Sequence, residues 1–167
     1  FMGILWLAPT VGAEPQGSNG VFDRVAGSVV TIGTKYKQLS LETNRWVDAA
    51  GIGSGVLVTG DGKVVTAAHL VQSVDAIKVQ FQDEEIVDAH VIASAPLADV
   101  ALLQLARVPD NAVVAKMADS DQVNIGDPVF IVGAPYGLSH TLTIGHISAR
   151  HRAPEVSNGF LRGEYFQ

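Results

Sequence analysis

The chain has 167 residues, 47% of them hydrophobic, and carries 17 acidic against 11 basic side chains for a formal charge of −6. That length and apolar content suffice for a sizeable core in one domain or two small ones, and an acidic balance with no basic block argues against a surface that tracks nucleic-acid phosphates. There are no cysteines, which removes disulfides, thiolate zinc sites and a cysteine nucleophile but leaves the redox compartment undetermined.

Residues 1–20 read as the remnant of a secretory signal followed by a flexible leader. Ile4-Leu5-Trp6-Leu7-Ala8 is apolar, Val11-Gly12-Ala13 puts small or tolerated residues where signal peptidase cuts, and polar residues 14–20 follow. The missing basic segment and the opening on Phe1 are read as truncation at this end. The apolar run is far shorter than the roughly 20 residues of a membrane span.

From residue 21 the chain reads as short strands punctuated by glycine, an all-β pattern. Strands are expected over 25–33 and 53–59, then a tight turn at Thr59-Gly60-Asp61-Gly62-Lys63 into a third strand that ends in the run Thr66-Ala67-Ala68-His69. Residues 35–50 read as a polar loop. Ile77, Val79 and Phe81 alternate with Lys78, Gln80 and Gln82, a half-buried strand; Asp83-Glu84-Glu85 turns the chain into a strand over 86–92. Residues 100–108 are apolar on both faces and read as an interior strand. Six short strands are most simply satisfied by closing into a small barrel, expected over 21–108. A linker over 109–122 leads to new strands at 129–132, at 140–150 and near Phe160. Those are too few to close a second barrel, so 123–167 reads as an incomplete one.

His69, after an apolar strand, and Asp99, thirty positions later at the head of Val100-Ala101-Leu102-Leu103, are residue types of a serine-protease relay. In that relay an imidazole takes a hydroxyl proton while a carboxylate holds its tautomer. Each residue alone has a plainer reading, His69 as a hydrogen-bonded structural histidine and Asp99 as a turn residue. As a pair they support each other, since a carboxylate buried at an apolar strand needs a partner and an imidazole N–H is one.

The surroundings carry more. Gly53-Ser54-Gly55-Val56-Leu57-Val58, the Gly60-Asp61-Gly62 turn, Val65-Thr66-Ala67-Ala68-His69 and Asp99-Val100-Ala101-Leu102-Leu103 occur in one order. Asp119-Ser120-Asp121 then leads through Gly126-Asp127 to Val132-Gly133-Ala134-Pro135-Tyr136-Gly137-Leu138. Over about 21–167 this ordered set resembles the trypsin-like peptidases of the HtrA/Deg family. The resemblance implies a trypsin-like double β-barrel whose first barrel is complete and whose second is partly present, with His69 as general base and Asp99 as orienting carboxylate. Two departures stand out: the family usually has Thr-Asn before its histidine, where Thr66-Ala67-Ala68 is closer to digestive trypsins, and Val132-Gly133-Ala134-Pro135-Tyr136-Gly137 replaces Gly-Asn-Pro-Phe-Gly.

The family's Gly-Asn-Ser-Gly-Gly nucleophile turn has no counterpart in this sequence. Ser54 lies between Gly53 and Gly55 but has Ile52 and Val56 two places away, so it is no nucleophile elbow and reads as strand-face packing. Ser94, Ser139, Ser148 and Ser157 lack any such frame. Gly163-Glu164-Tyr165-Phe166-Gln167 resembles the strand that leads toward the nucleophile turn, so the serine, and the oxyanion donors of its turn, are expected beyond Gln167.

A metal site is not expected. His140 and His146 share a parity that His151 does not, His90 shares a strand face with Asp88, and no second ligand pair completes either set. No cofactor is expected either, because Gly51-Ile52-Gly53 lacks the third glycine of a dinucleotide loop. The resemblance implies a secreted, periplasmic serine endopeptidase acting on unfolded or damaged polypeptides, and a homotrimer as its assembly, with this chain alone inactive for want of the serine. A second reading is a catalytically silent, protease-like binding or chaperone domain, and a third is a nonfunctional fragment. The codons after Gln167 separate the three.

Overall fold

Apolar residues alternating along short, glycine-punctuated segments bury their common face by curling into a closed sheet, and residues 29–105 do so. The computed structural model describes residues 4–7, 18–133, 141–151 and 165–167. The chain opens with strand β1 (Ile4–Leu7) and helix α1 (Ser18–Ala26). The barrel is built from β2 (Val29–Ser40), β3 (Arg45–Leu57), β4 (Lys63–Thr66), β5 (Ala76–Gln80), β6 (Ile86–Ala95) and β7 (Val100–Leu105), with the single-turn helix α2 (Ala68–Val71) between β4 and β5. It closes in the order β2-β3-β4-β7-β6-β5, every neighbour antiparallel. Ile32, Leu57, Val64, Val79 and Leu103 fill its interior and are fully buried, each worth about 1.5–3 kcal/mol by removal from water.

Three expectations need correction here. The segment 35–50, read as a polar loop, is the outer part of one long hairpin in which β2 and β3 pair from Val29↔Val56 to Ser40↔Arg45. Past the barrel rim both faces of this hairpin meet solvent, so its sequence lacks the alternation that marks a half-buried strand. The strand expected over 25–33 begins only at Val29; residues before it form α1, which buries Val21, Val25 and Ala26 at helical spacing. And β7, read as apolar on both faces, buries only Ala101, Leu103 and Leu105, while Val100 is exposed. Between Val91 and Ala93 the β6–β7 register slips at a bulge, which accommodates Ile92.

The second half is a partial sheet, as expected. Strand β8 (Pro128–Gly133) pairs with β9 (Thr141–His146), and β10 (Arg150–His151) with β11 (Tyr165–Phe166). The strand expected near Phe160 falls outside the described residues, as do the proposed cleavage site at 11–13 and the stretch 134–140. On its other edge β8 pairs with β1, from Ile4↔Val132 to Leu7↔Val129, so residues 4–7, expected within the remnant of a secretory signal, supply backbone partners to a sheet edge. Segment 109–122 is tied down where Ala115 N–H donates to the Leu57 carbonyl (2.9 Å). Val25, Val29, Val56 and Val132 form a shared cluster where β8 packs on the barrel. Among the described residues no helix is long and apolar enough to cross a membrane.

Candidate active site

The β4–β7 ladder decides where His69 and Asp99 meet. Its antiparallel register runs from Lys63↔Gln104 to Thr66↔Ala101, so the chain leaving β4 and the chain arriving at β7 share one end of the barrel. His69 stands three residues beyond Thr66 and Asp99 two residues before Ala101, which places them side by side. The end of β4 is fastened by the fully buried Thr66, whose hydroxyl donates to the Ser54 carbonyl on β3 (2.8 Å). Beyond it His69 sits in α2 rather than at a strand end, while Ala68 and Val71 of the same turn point into the core. Asp99 closes a 3-10 turn over Pro96–Ala98, takes the left-handed conformation (φ 52°) and donates its own N–H to the Pro96 carbonyl (3.1 Å). Aspartate is among the few residues that adopt this conformation readily.

The two residues are joined at three points. Nδ1 of His69 lies 2.8 Å from Oδ2 and 3.0 Å from Oδ1 of Asp99, and the His69 backbone N–H donates to Oδ1 at 2.9 Å. A carboxylate accepts only, so it fixes the proton on Nδ1 and leaves the lone pair on Nε2. Burial works to raise the Asp99 pKa, but it is outweighed by the His69 backbone N–H and imidazole, which hold the carboxyl below its ordinary value. The expectation that Asp99 is buried is not met: its side chain is 41% exposed and that of His69 65%. The third contact, from the backbone N–H, carries no sequence signal beyond the proximity of the pair.

The other candidates do not join them. Ser54 lies on β3, half-buried, with its Oγ 3.2 Å from where a Cβ on Gly133 would stand. Among the described residues Asp99 is the partner of the imidazole and no serine hydroxyl is bonded to it. Asp88, which shares a strand with His90, is paired with Lys78 (2.8 Å); His140 and the side chain of His151 are outside the described residues. No group of three or more His, Cys, Asp or Glu that could hold a metal ion occurs among the described residues.

Residues 53–167 match the family of the trypsin-like peptidase domain. The chain belongs to the trypsin-like peptidases. Within that family its likeness is to HtrA-type proteases. It is 42% identical over 103 residues to the periplasmic serine endoprotease DegP of Escherichia coli K12, which covers 61% of this chain and 22% of DegP. The DegP of Salmonella typhimurium is 41% identical over 103 residues, with the same shares of 61% and 22%. Among solved structures, an HtrA-type protease AlgW variant with a tripeptide superimposes with a TM-score of 0.73 at 25% identity, over 89% of this chain and 44% of AlgW. The variant with a decapeptide gives 0.78 at 22% identity, over 89% and 49%, which speaks for the fold. This trypsin-like peptidase chain thus spans about a fifth of the length of the curated relatives it matches.

Proposed function

We propose that this chain carries the general base and its orienting carboxylate for a serine endopeptidase that cleaves unfolded or damaged polypeptides. The observation that carries the reading is the Nδ1 contact of His69 with both oxygens of Asp99, at 2.8 and 3.0 Å, which leaves Nε2 as the proton acceptor. The nucleophile in this reading is a serine outside these residues. Its Oγ attacks the peptide carbonyl carbon while Nε2 takes the hydroxyl proton; Asp99 stabilises the imidazolium, which then returns the proton to the leaving amine as the C–N bond breaks. Water repeats the sequence on the acyl-enzyme and regenerates the serine. The relatives' description as periplasmic supports the same compartment for this protein, and a homotrimeric assembly belongs to the same reading.

The test is made on the longest reading frame that contains these residues. That protein is expected to be labelled by a fluorophosphonate, to degrade casein, and to lose both with His69→Ala. Full activity after His69→Ala would sink the mechanism. Absence of labelling together with suppressed aggregation of unfolded clients would favour a silent binding domain instead.

A further inference from the structure

A helix of one turn cannot hold itself by its own hydrogen bonds, so the place of His69 rests on what its neighbours in α2 touch. Ala68 and Val71 are buried in the barrel core, and Leu70 is partly buried against the same cluster. On its β3 side Leu70 meets two glycines. A Cβ built on Gly53 falls 2.5 Å from Leu70 Cδ2, 3.3 Å from Cδ1 and 3.4 Å from Cγ; one built on Gly51 falls 3.6 Å from Cδ1. Neither glycine has a positive φ, so the backbone conformation does not demand glycine at either place. What their missing side chains provide is room. Gly51 has a second constraint, since its Cβ would also meet the buried Thr34 Oγ1 at 2.6 Å, whereas the three atoms nearest a Cβ on Gly53 all belong to Leu70.

We propose that Gly53 is a positioning residue for His69: the seat it leaves for Leu70 sets where α2 lies, and thereby whether His69 reaches Asp99 with both its backbone N–H and its imidazole. An alanine at 53 requires the Cδ2 methyl of Leu70 to withdraw by about 1 Å to reach ordinary contact, by rotation of the side chain or by a shift of α2, while Cδ1 at 3.3 Å must give only slightly. The three contacts to Asp99, at 2.8 to 3.0 Å, have only a few tenths of an ångström of slack before they cease to be hydrogen bonds. The consequence for activity rests on the catalytic reading above; the geometric claim does not.

Amide exchange followed by NMR on the 167-residue chain tests the geometry without catalysis. In Gly53→Ala the His69 amide is expected to exchange about tenfold faster while the core amides of Val79 and Leu103 keep their protection, the signature of a local rather than a global opening. Adding Leu70→Ala to Gly53→Ala removes the conflict together with the seat, so the double variant is expected to exchange no faster than the faster of the two single variants, a non-additivity expected only of residues in contact. In an active longer form Gly53→Ala is expected to lower kcat about tenfold at unchanged KM, as misplacement of a catalytic group does. A folded Gly53→Ala with unchanged His69 exchange overturns the proposal, and so does a double variant in which the effects of Gly53→Ala and Leu70→Ala simply add. If Gly53→Ala does not fold, Leu70→Ala alone decides: faster His69 exchange with an intact core supports the seat, unchanged exchange refutes it. Should His69→Ala leave activity intact, the catalytic reading fails while the exchange data still judge the seat.

Discussion

Replacing Asp99 by asparagine separates the chemistry of the pair from its part in stability. The side chains are close to isosteric, and asparagine tolerates the left-handed backbone at φ 52°. Its carboxamide oxygen can still accept from the His69 backbone N–H, now at 2.9 Å. The amide NH2 must then face Nδ1, a donor where the carboxylate accepted at 2.8 Å. Nδ1 turns to its lone-pair form, the proton moves to Nε2, and the nitrogen that should receive the hydroxyl proton already carries one. In the worked serine-protease template this substitution costs about 10⁴-fold in kcat, or about 5.4 kcal/mol at roughly 1.36 kcal/mol per decade. Folding should barely respond. The two side chains are 65% and 41% exposed, and exposed ion pairs contribute about 0.2–1 kcal/mol, at most about 4 °C in Tm for a domain of this size. The assay sets kcat on an unfolded protein substrate beside Tm, in the longest reading frame containing these residues. Retention of more than a tenth of the parental kcat would refute the tautomer argument, and a fall in Tm beyond about 8 °C would show that the carboxylate serves the fold instead.

The lowered Asp99 pKa makes its contact with His69 fully developed above the ordinary value of 3.8 and lost as pH falls through the lower folded value. The Asp99 carboxyl carbon resonance should therefore titrate below 3.8, and a midpoint at or above it contradicts the hydrogen-bond assignment. The Gly60-Asp61-Gly62 turn contains its own control. Gly62 has φ +90° and a Cβ there would lie 2.9 Å from Val108 Cγ2, whereas Gly60 has nothing within 4 Å; Gly62→Ala should cost about 1–2 kcal/mol or more in urea denaturation and Gly60→Ala about zero or a small gain, and equal costs at both would show that backbone handedness is not what the turn selects.

The barrel strands were legible wherever one face is buried and the other wet. Ile77 and Val79 alternate with Lys78 and Gln80, and the structure buries the first pair and exposes the second. The same rule fails where both faces share one environment. Lys35, Lys37, Gln38 and the residues opposite them in the outer hairpin are largely solvated on both sides, so nothing in their order distinguishes a strand from a loop, and the pairing of Lys37 with Asp48 or Leu39 with Trp46 is imposed by the hairpin growing outward from its buried root. Helix α1 was missed for a different reason. Val25 and Ala26 abut the strand-forming Val29-Val30, and a short window blends the helical spacing of Val21 and Val25 with the strand that follows.

His69 and Asp99 were identified by residue type and by ordered neighbours, which say nothing about distance. The structure supplies the distance through the β4–β7 register, because Thr66↔Ala101 is the last rung of the ladder and both chains depart from it in one direction. What sequence could not supply is the environment. A buried carboxylate was expected from the apolar strand that follows Asp99, but the residue precedes that strand in a turn at the barrel rim, where Leu97 and Val100 beside it are also exposed. A solvated imidazole–carboxylate pair interacts weakly, since water screens it. The same pair becomes strong when a chain laid across it excludes water. The barrel therefore fixes the geometry of the pair, and its electrostatic strength depends on what covers the rim, which in the proposed function is a polypeptide substrate.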